Sequence, residues 1–403
     1  MKKPLLLLDR GGIGQYLRKK DSNSTIDRSQ FYVVVITNAS KISQFYETFY
    51  DELHLWDTDN DEIGLIAFAM ELHAKTPFHR VIACSERLLL VAAQLREMMD
   101  CEGDRYQDII GVRDKAIMHD IARNSGIKTP QQWLASDYER CASVLSTKDS
   151  LILKPRRGMG SRGIYHAKDA SAFFLIIDKL KAHSIDLDSY LIETYIEGGV
   201  FHIDSVISHG NVIFEIGFEY LSPPMQFTDS KPRAAIMLSA PEVAVAIYQA
   251  NRQVISAFNI QDGVTHTEFF YTPSGEVVFG EVAKRVGGGV ISEAIYQLSG
   301  IDLNTFMVQF QLGKIIDFTV IQETQYGGWL KFHPRPLKIS SLSDVNEFAD
   351  EWIKFAVNKK QIGDLLSIPY MTGDSIADFV IAAPNEPLLR ARINDVINRF
   401  RCE

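Results

Sequence analysis

Apolar positions in the first third of the chain follow two rhythms. Leu5–Leu8 and Tyr32–Ile36 are short unbroken apolar runs, and Arg80–Cys84 contains a third. Runs this short, without alternation, predict parallel strands buried on both faces. Glu62–Lys75 and Arg87–Met99 instead repeat their apolar residues at helical spacing. Strand and helix patterns in turn predict a small open α/β unit over residues 1–112. Gly11-Gly12-Ile13-Gly14 follows the first strand and reads as a tight strand-to-helix turn rather than a ligand loop.

The rhythm changes after Arg113. Asp114–Ser125 has helical spacing, with Gly126 placed to end it, and Pro130 marks a turn. Leu151–Lys154 is a strand, a return strand follows near Gly163–His166, and Leu191–Tyr195 is another. Phe201–Ser208 and Val212–Glu219 flank His209-Gly210-Asn211, and Thr265–Tyr271 and Val277–Val282 flank Pro273-Ser274-Gly275. Both are hairpin signals. The middle of the chain therefore reads as antiparallel strands with helices between hairpins. A helix is expected near Leu303–Leu312, and the remainder mixes strand and helix signals without a chemical motif.

Composition adds limits. At 403 residues, with 46% hydrophobic and 23% charged, the chain can build a large core from several structural units. A net charge of −9 argues against a general nucleic-acid binder, although Lys154, Arg156, Arg157 and Arg162 form a local basic group. Cys84, Cys101, Cys141 and Cys402 show no C-x-x-C spacing, which removes zinc and redox motifs and suits free thiols in a reducing cytoplasm. Asp9 and Arg10 interrupt the first apolar run too early for a signal peptide. No apolar run reaches the ~18 residues of a membrane span, so a cytoplasmic location with no membrane partner is expected. Asp57–Glu62 mimics a calcium loop, but Glu62 stands where glycine is needed and Phe68 where glutamate is needed.

Four clusters carry chemistry. Lys154 ends a strand and leads into Gly158, Gly160, Ser161 and Gly163. A glycine-rich loop with free N–H groups beside a lysine suits phosphate. The order matches neither the P-loop nor the dinucleotide fingerprint. Lys115 opens the 114–125 helix within Arg113-Asp114-Lys115. Glu193, Tyr195, Ile196 and Glu197 end a strand that breaks at Gly198-Gly199 before His202 and Asp204. Such a break exposes backbone groups able to pair with an adenine edge, with Glu197 or His202 in reach of ribose; a plain β-bulge is the alternative. Last, Glu268 and Glu281 lie on adjacent strands, where carboxylates need a cation. His266 precedes them, and Arg285 and Gly287-Gly288-Gly289 follow. Arg285 could neutralise charge developing in phosphoryl transfer, or simply bridge to the glutamates.

In this order the clusters resemble the ATP-grasp superfamily, and within it the carboxylate–amine ligase branch that includes L-amino acid ligases. The resemblance spans roughly residues 80–305 and is specific as an ordered set. It implies an ATP-grasp fold, α/β and α+β, with a Rossmann-like pre-ATP-grasp domain at 1–112, a small lobe at 113–195 and a large lobe with a C-terminal extension at 196–403. Lys115 and Lys154 would contact the α- and β-phosphates, and Gly158–Gly163 would cover them. Glu193, Tyr195 and Ile196 would face adenine, and Glu197 and His202 ribose. Glu268 and Glu281 would hold Mg2+, for which Mn2+ can substitute. Arg285 and Lys154 are the implied catalytic residues, Arg285 stabilising the acyl phosphate and its successor. His266, Arg285 and Gly287–Gly289 would face the substrates. The sequence departs from the family at Ala283, where asparagine is usual, and near His202, where a glutamate is more usual.

The implied reaction joins a small-molecule carboxylate to an amine, forming an amide or peptide bond through an acyl phosphate and releasing ADP and phosphate. Homodimerisation is common in this superfamily, and no nucleic-acid partner is implied. Alternative readings of this chain keep the same ATP site: bicarbonate-dependent carboxylation of the biotin carboxylase type, ligation of a carboxylate to a thiol or a tRNA-linked amine, or non-catalytic, regulatory ATP binding as in synapsin.

Overall fold

The computed structural model describes residues 2–45, 47–144, 150–314 and 324–403. Its N-terminal sheet is parallel, in the spatial order Glu52–Leu55, Phe31–Thr37, Lys3–Leu8, Arg80–Ala83. Leu5 to Leu8 have no exposed surface, as strands covered on both sides require. Helix Glu62–Lys75 starts where Asp61 accepts a hydrogen bond from the Gly64 N–H (2.9 Å). The expected Arg87–Met99 helix divides into a 3-10 turn, Glu86–Leu88, and a helix, Leu89–Met98. Gly12 takes a positive φ of 86° and donates to the Asp9 carboxylate (3.0 Å), making the glycine segment a tight turn. Glu52–Leu55 had no sequence signal because this edge strand alternates polar and apolar residues and is only half-buried.

A second sheet is antiparallel, in the order Gln132–Leu134, Tyr190–Thr194, Leu151–Pro155, Tyr165–Ala167, with helix Ala170–Ala182 packed on it. The third is an eight-stranded antiparallel sheet. Its order is Val277–Ala283, Gly263–Tyr271, Gly199–Ser208, Asn211–Tyr220, Arg233–Met237, Gly327–Phe332, Ala377–Ala382, Ile353–Asn358. His209 (φ 51°) and Gly210 (φ 75°) close its first hairpin with the two left-handed residues that suit strand twist. The C-terminal strands thus extend the same sheet as the hairpins.

Register decides what that sheet presents. Phe218, His202, Glu268 and Glu281 are cross-strand partners in succession. Tyr220, Ala235, Trp329 and Val380 form a parallel row two residues on, and Arg233, Lys331 and Asp378 form a third. Side chains of cross-strand partners share a face. One face therefore carries most of the sheet's charged residues. The opposite face is covered by helices Pro241–Ala257 and Glu386–Arg399.

Candidate functional site

Helix Lys115–Asn124 begins at Asp114, whose carboxylate caps Ala116 N–H (3.1 Å). The same carboxylate takes both Arg156 contacts (3.0 and 2.9 Å) and lies 3.4 Å from Arg157 Nε. Arg162 stacks on Tyr370, 4.1 Å from the ring centre. The basic group expected here is thus largely spent on fixing the loop. Lys115 is different. Its Nζ donates to Gly158 O (2.9 Å) and pairs with Glu281 Oε2 (3.0 Å). Lys154 pairs with Glu193 Oε2 at 2.8 Å. His119, one helical turn after Lys115, donates from Nε2 to Gly280 O (2.9 Å) and places Nδ1 3.6 Å from Glu193 Oε1. Burial holds its pKa below the usual histidine value, which fits a neutral ring with Nδ1 unprotonated.

Glu268 and Glu281 face each other across the strand pair. Tyr220 donates its hydroxyl to Glu268 Oε1 (3.2 Å). Burial opposes the charge on Glu281, but Lys115, Lys154 and Arg285 outweigh it and hold its pKa down to about 2. Arg285 contacts Glu86 through Nε (2.9 Å) and Nη2 (2.8 Å). Arg113 bonds the other Glu86 oxygen at 3.2 Å and its backbone carbonyl at 3.1 Å. Glu86 comes from the N-terminal sheet's edge, just after the strand Arg80–Ala83, and is only 8% exposed.

Three expectations need correction. His202 does not reach for ribose: it is fully buried, bonded through Nδ1 to Asp204 (2.8 Å) and stacked on Phe218. Its position mid-sheet, in register with Glu268, takes it away from the Gly198 break. His266 does not face substrate directly. It is 4% exposed, bonded to Asp204 (3.0 Å), with Nε2 3.6 Å from Glu268 Oε1. Burial disfavours its charge, but Asp204 and Glu268 outweigh that and raise its pKa to about 9. Gly287 is buried rather than open, because a Cβ there would lie 2.7 Å from Asp204 Oδ1 and 2.6 Å from Ile291 Cγ2. Gly288 and Gly289 are exposed.

At the strand break, Tyr195 N–H is already bonded to Ser150 O (2.9 Å) and its ring stacks on His166 (4.7 Å). Ile196 N–H has no partner among the described residues, and Glu197 is exposed. Glu193 turns its carboxylate onto Lys154, so any contact with a base would come from its neighbours' backbone. The 158–163 loop uses positive φ at Gly160, Ser161 and Gly163. It docks on the C-terminal region, where Thr372 N donates to Gly160 O (3.0 Å). Two open clefts of about 770 and 690 Å³ lie elsewhere on the surface, along 123–140 and 324–392. The side chains of Glu281 and Glu268 in the cluster remain about a quarter exposed, at 26% and 25%.

Sequence reading missed Glu86, His119, Tyr220 and Lys331. Glu86 sits beyond the carboxyl end of a parallel strand, where open α/β sheets bind ligands. His119 lies four residues from Lys115 on one helix face, a signal that was available. Tyr220 and Lys331 depend on cross-strand register, which local pattern does not give.

A glycine loop over one antiparallel sheet, facing a carboxylate-bearing sheet with lysines between, defines an ATP-grasp fold. Residues 147–293 match the family model of the ATP-grasp domain. It is 23% identical over 350 residues to the L-arginine-specific L-amino acid ligase of Bacillus subtilis, covering 85% of this chain and 82% of that protein. Its fold is shared with an L-amino acid ligase from Bacillus licheniformis (TM-score 0.78, 17% identity, 100% of this chain and 98% of that one). It is also similar to the biotin carboxylase domain dimer of the Hydrogenobacter thermophilus 2-oxoglutarate carboxylase, solved with MgADP, ADP and bicarbonate. There the TM-score is 0.69 and identity 18%, over 100% and 91% of the two chains. No helix among the described residues is long and apolar enough to cross a membrane.

Proposed function

We propose that this protein is an ATP-dependent carboxylate–amine ligase that forms an amide bond between small molecules, at least one of them an amino acid. The observation that carries the reading is the convergence on Glu281. Lys115 from one lobe pairs with it, Glu268 faces it across the sheet, and Lys154 and Arg285 act on its charge. Three cations around two carboxylates suit a polyphosphate with a hard divalent ion. The donor set is all oxygen, as Mg2+ requires. When bound, Mg2+ supplies neutralisation of phosphate charge.

Lys115 and Lys154 bind the α- and β-phosphates in this reading, and Gly158–Gly163 covers them. Ile196 N–H and the Tyr195 carbonyl take the adenine edge, and Glu197 the ribose. Glu268 and Glu281 hold the metal, with Tyr220 and His266 orienting Glu268. A substrate carboxylate oxygen attacks the γ-phosphorus and the bond to the β-phosphate oxygen breaks, giving an acyl phosphate and ADP. An amine then attacks the acyl carbon, phosphate leaves with the C–O bonding pair, and the amine loses a proton. Arg285, held by Glu86, stabilises negative charge on the acyl group as it becomes tetrahedral. Closure of the glycine loop excludes water, which would hydrolyse the acyl phosphate.

The test is phosphate release from Mg-ATP with the twenty L-amino acids, singly and in pairs, with products read by mass spectrometry. Release that requires a pair, with a product mass of both minus water, is the expected result. ATP binding without release for any amino acid would refute an amino acid ligase.

A further inference from the structure

The same sheet face that carries Glu281 and Glu268 continues, four strands on from Glu268, to an amine with no carboxylate of its own among the described residues. Lys331 is 5% exposed in the strand Gly327–Phe332. Its Nζ donates to Thr372 O (3.0 Å) and lies 5.0 Å from the Trp329 ring centre. No carboxylate lies within ion-pair distance among the described residues. Asp378 is its cross-strand partner but is committed to Lys359. Asp374 accepts instead from Tyr370 N–H (2.7 Å) and Met371 N–H (3.2 Å). On the other side, Arg233 is committed to Asp229 (2.6 Å). An ammonium has three donors, and burying one that is bonded to a single neutral carbonyl is costly. Burial lowers the Lys331 pKa to about 8 despite Asp378, which still leaves it mostly charged at neutral pH.

What lies against this ammonium is the substrate end of the site. A Cβ on Gly289 would sit 3.0 Å from Lys331 Nζ, and Gly289 is exposed with φ +64°. Gly288 has nothing within 4 Å of its would-be Cβ. Gly289 is four residues from Arg285, a span of at most about 14 Å along the chain. Beside the ammonium, the Trp329 indole N–H is buried without a partner among the described residues.

We propose that Lys331, reached over Gly288 and Gly289, binds a second, non-reacting carboxylate of an amino acid substrate. This rests on the ligase reading and adds a specificity residue to it. The reacting carboxylate belongs near Arg285 and Glu281. The one at Lys331 is either the α-carboxylate of the amine donor or an acidic side chain. Lys331 also holds Thr372, whose N–H holds Gly160 O. An occupied carboxylate site therefore shares its anchor with the loop that covers the phosphates.

The experiment compares wild type with K331M, K331R and W329F in two assays: calorimetric binding of amino acids in the presence of MgADP, and steady-state turnover. Each amino acid is compared with its α-amide, and Asp and Glu with Asn and Gln. In K331M, KM for the carboxylate-bearing substrate should rise roughly ten- to hundredfold, the range for losing a charged hydrogen bond. KM for ATP should change less than about threefold. K331R should retain preference for the acid over the amide, and W329F should weaken it while the protein stays folded. Loss of preference against the α-amide alone assigns the α-carboxylate; loss against Asn or Gln assigns the side chain. If turnover is robust and neither K331M nor W329F alters the acid-to-amide ratio, Lys331 has no such role. If nothing turns over yet carboxylate binding depends on Lys331, the site stands and the ligase reading falls. If wild type neither binds nor turns over any amino acid, both fall. If K331M does not fold, the acid-to-amide ratio in W329F decides the matter.

Discussion

Glu86 joins the N-terminal sheet to the chemistry, and replacing it tests the arrangement most directly. In Glu86→Gln the geometry is nearly conserved but the charge is lost. Arg285 then loses a carboxylate that it touches at 2.9 and 2.8 Å, and Arg113 one at 3.2 Å. Glu86 and Arg113 are both nearly buried, so the loss strands positive charge away from water. Breaking a buried ion pair from one side costs about 3–5 kcal/mol, and the surviving amide oxygen keeps some of that. A loss of about 2–4 kcal/mol is therefore expected from urea denaturation at neutral pH. The Glu86 pKa is lowered: burial opposes its charge, but Arg285 and Arg113 outweigh it. Its contribution is thus present above the unfolded carboxylate pKa and disappears as pH falls through the folded value. The wild-type advantage over Glu86→Gln should shrink on acidification. In catalysis, Arg285 keeps its bond to Val286 O (3.0 Å) but loses its anchor. Losing a preorganised charge-stabilising group costs about 10²–10³ in kcat, and a loosened one less, so a roughly ten- to hundredfold fall is expected. KM for ATP should stay within about threefold, because Lys115 and Lys154 are held by Glu281 and Glu193. A variant with unchanged stability and unchanged kcat would refute the claim that Glu86 positions Arg285.

Glu281→Gln should lower phosphate release by about a thousandfold or more while the protein stays folded, since it removes the centre of the charge cluster; turnover within tenfold of wild type would contradict the metal assignment. Glu193→Gln leaves Lys154 without its carboxylate (2.8 Å) and should raise KM for ATP about tenfold, measured by initial rates, with a smaller effect on kcat. The His266–Asp204 pair sets an alkaline limit. A histidine raised from 6.5 to about 9 stabilises fully below 6.5 and loses that contribution as pH rises towards 9, on the order of 1–3 kcal/mol. Denaturation midpoints between pH 6.5 and 9.5 should show this fall in wild type and not in Asp204→Asn. Gly287→Ala forces a methyl to 2.7 Å from Asp204 Oδ1 and should lower the thermal midpoint by several degrees, at a cost of about 1–3 kcal/mol.

Much of this was legible in the chain because the signals were local. Lys154 with its glycines, the Gly198-Gly199 break and the Glu268/Glu281 hairpin each announce themselves within about a dozen residues. The helix Glu62–Lys75 was legible from its periodicity. What stayed hidden required partners far apart in sequence. His202, His266 and Gly287 sit in the right motifs, yet Asp204 claims both histidines and excludes a Cβ at Gly287. Arg156 looked like phosphate chemistry until Asp114 was placed beside it. Glu86 lies 199 positions from Arg285, and only the packing of one sheet's end against another brings them together. Strands Gly327–Phe332 and Ala377–Ala382 carried no motif, so the C-terminal wall of the site could not be anticipated.

Helix Lys115–Asn124 has a consequence for how the molecule can move. It lies in the segment that leads into the small sheet, yet His119 is bonded to Gly280 O, Val282 N–H reaches Met118 Sδ (3.4 Å) and Phe279 N–H reaches Lys128 O (2.8 Å). These bonds fasten it to the outer strand of the large sheet. Towards the small sheet it offers Lys115 N–H to Arg156 O (3.0 Å) and accepts from Gln132 (3.3 Å). If the two sheets swing apart on nucleotide exchange, the helix travels with the large one and the pivot falls between Lys128 and Gln132. Lys115 then keeps its distance to Glu281 through the whole stroke, while Lys154 and the glycine loop ride away with the smaller sheet. Of the two lysines proposed to contact phosphate, one would then stay in place and the other would move with the small sheet, so a bound nucleotide would be released stepwise, from the loop side first.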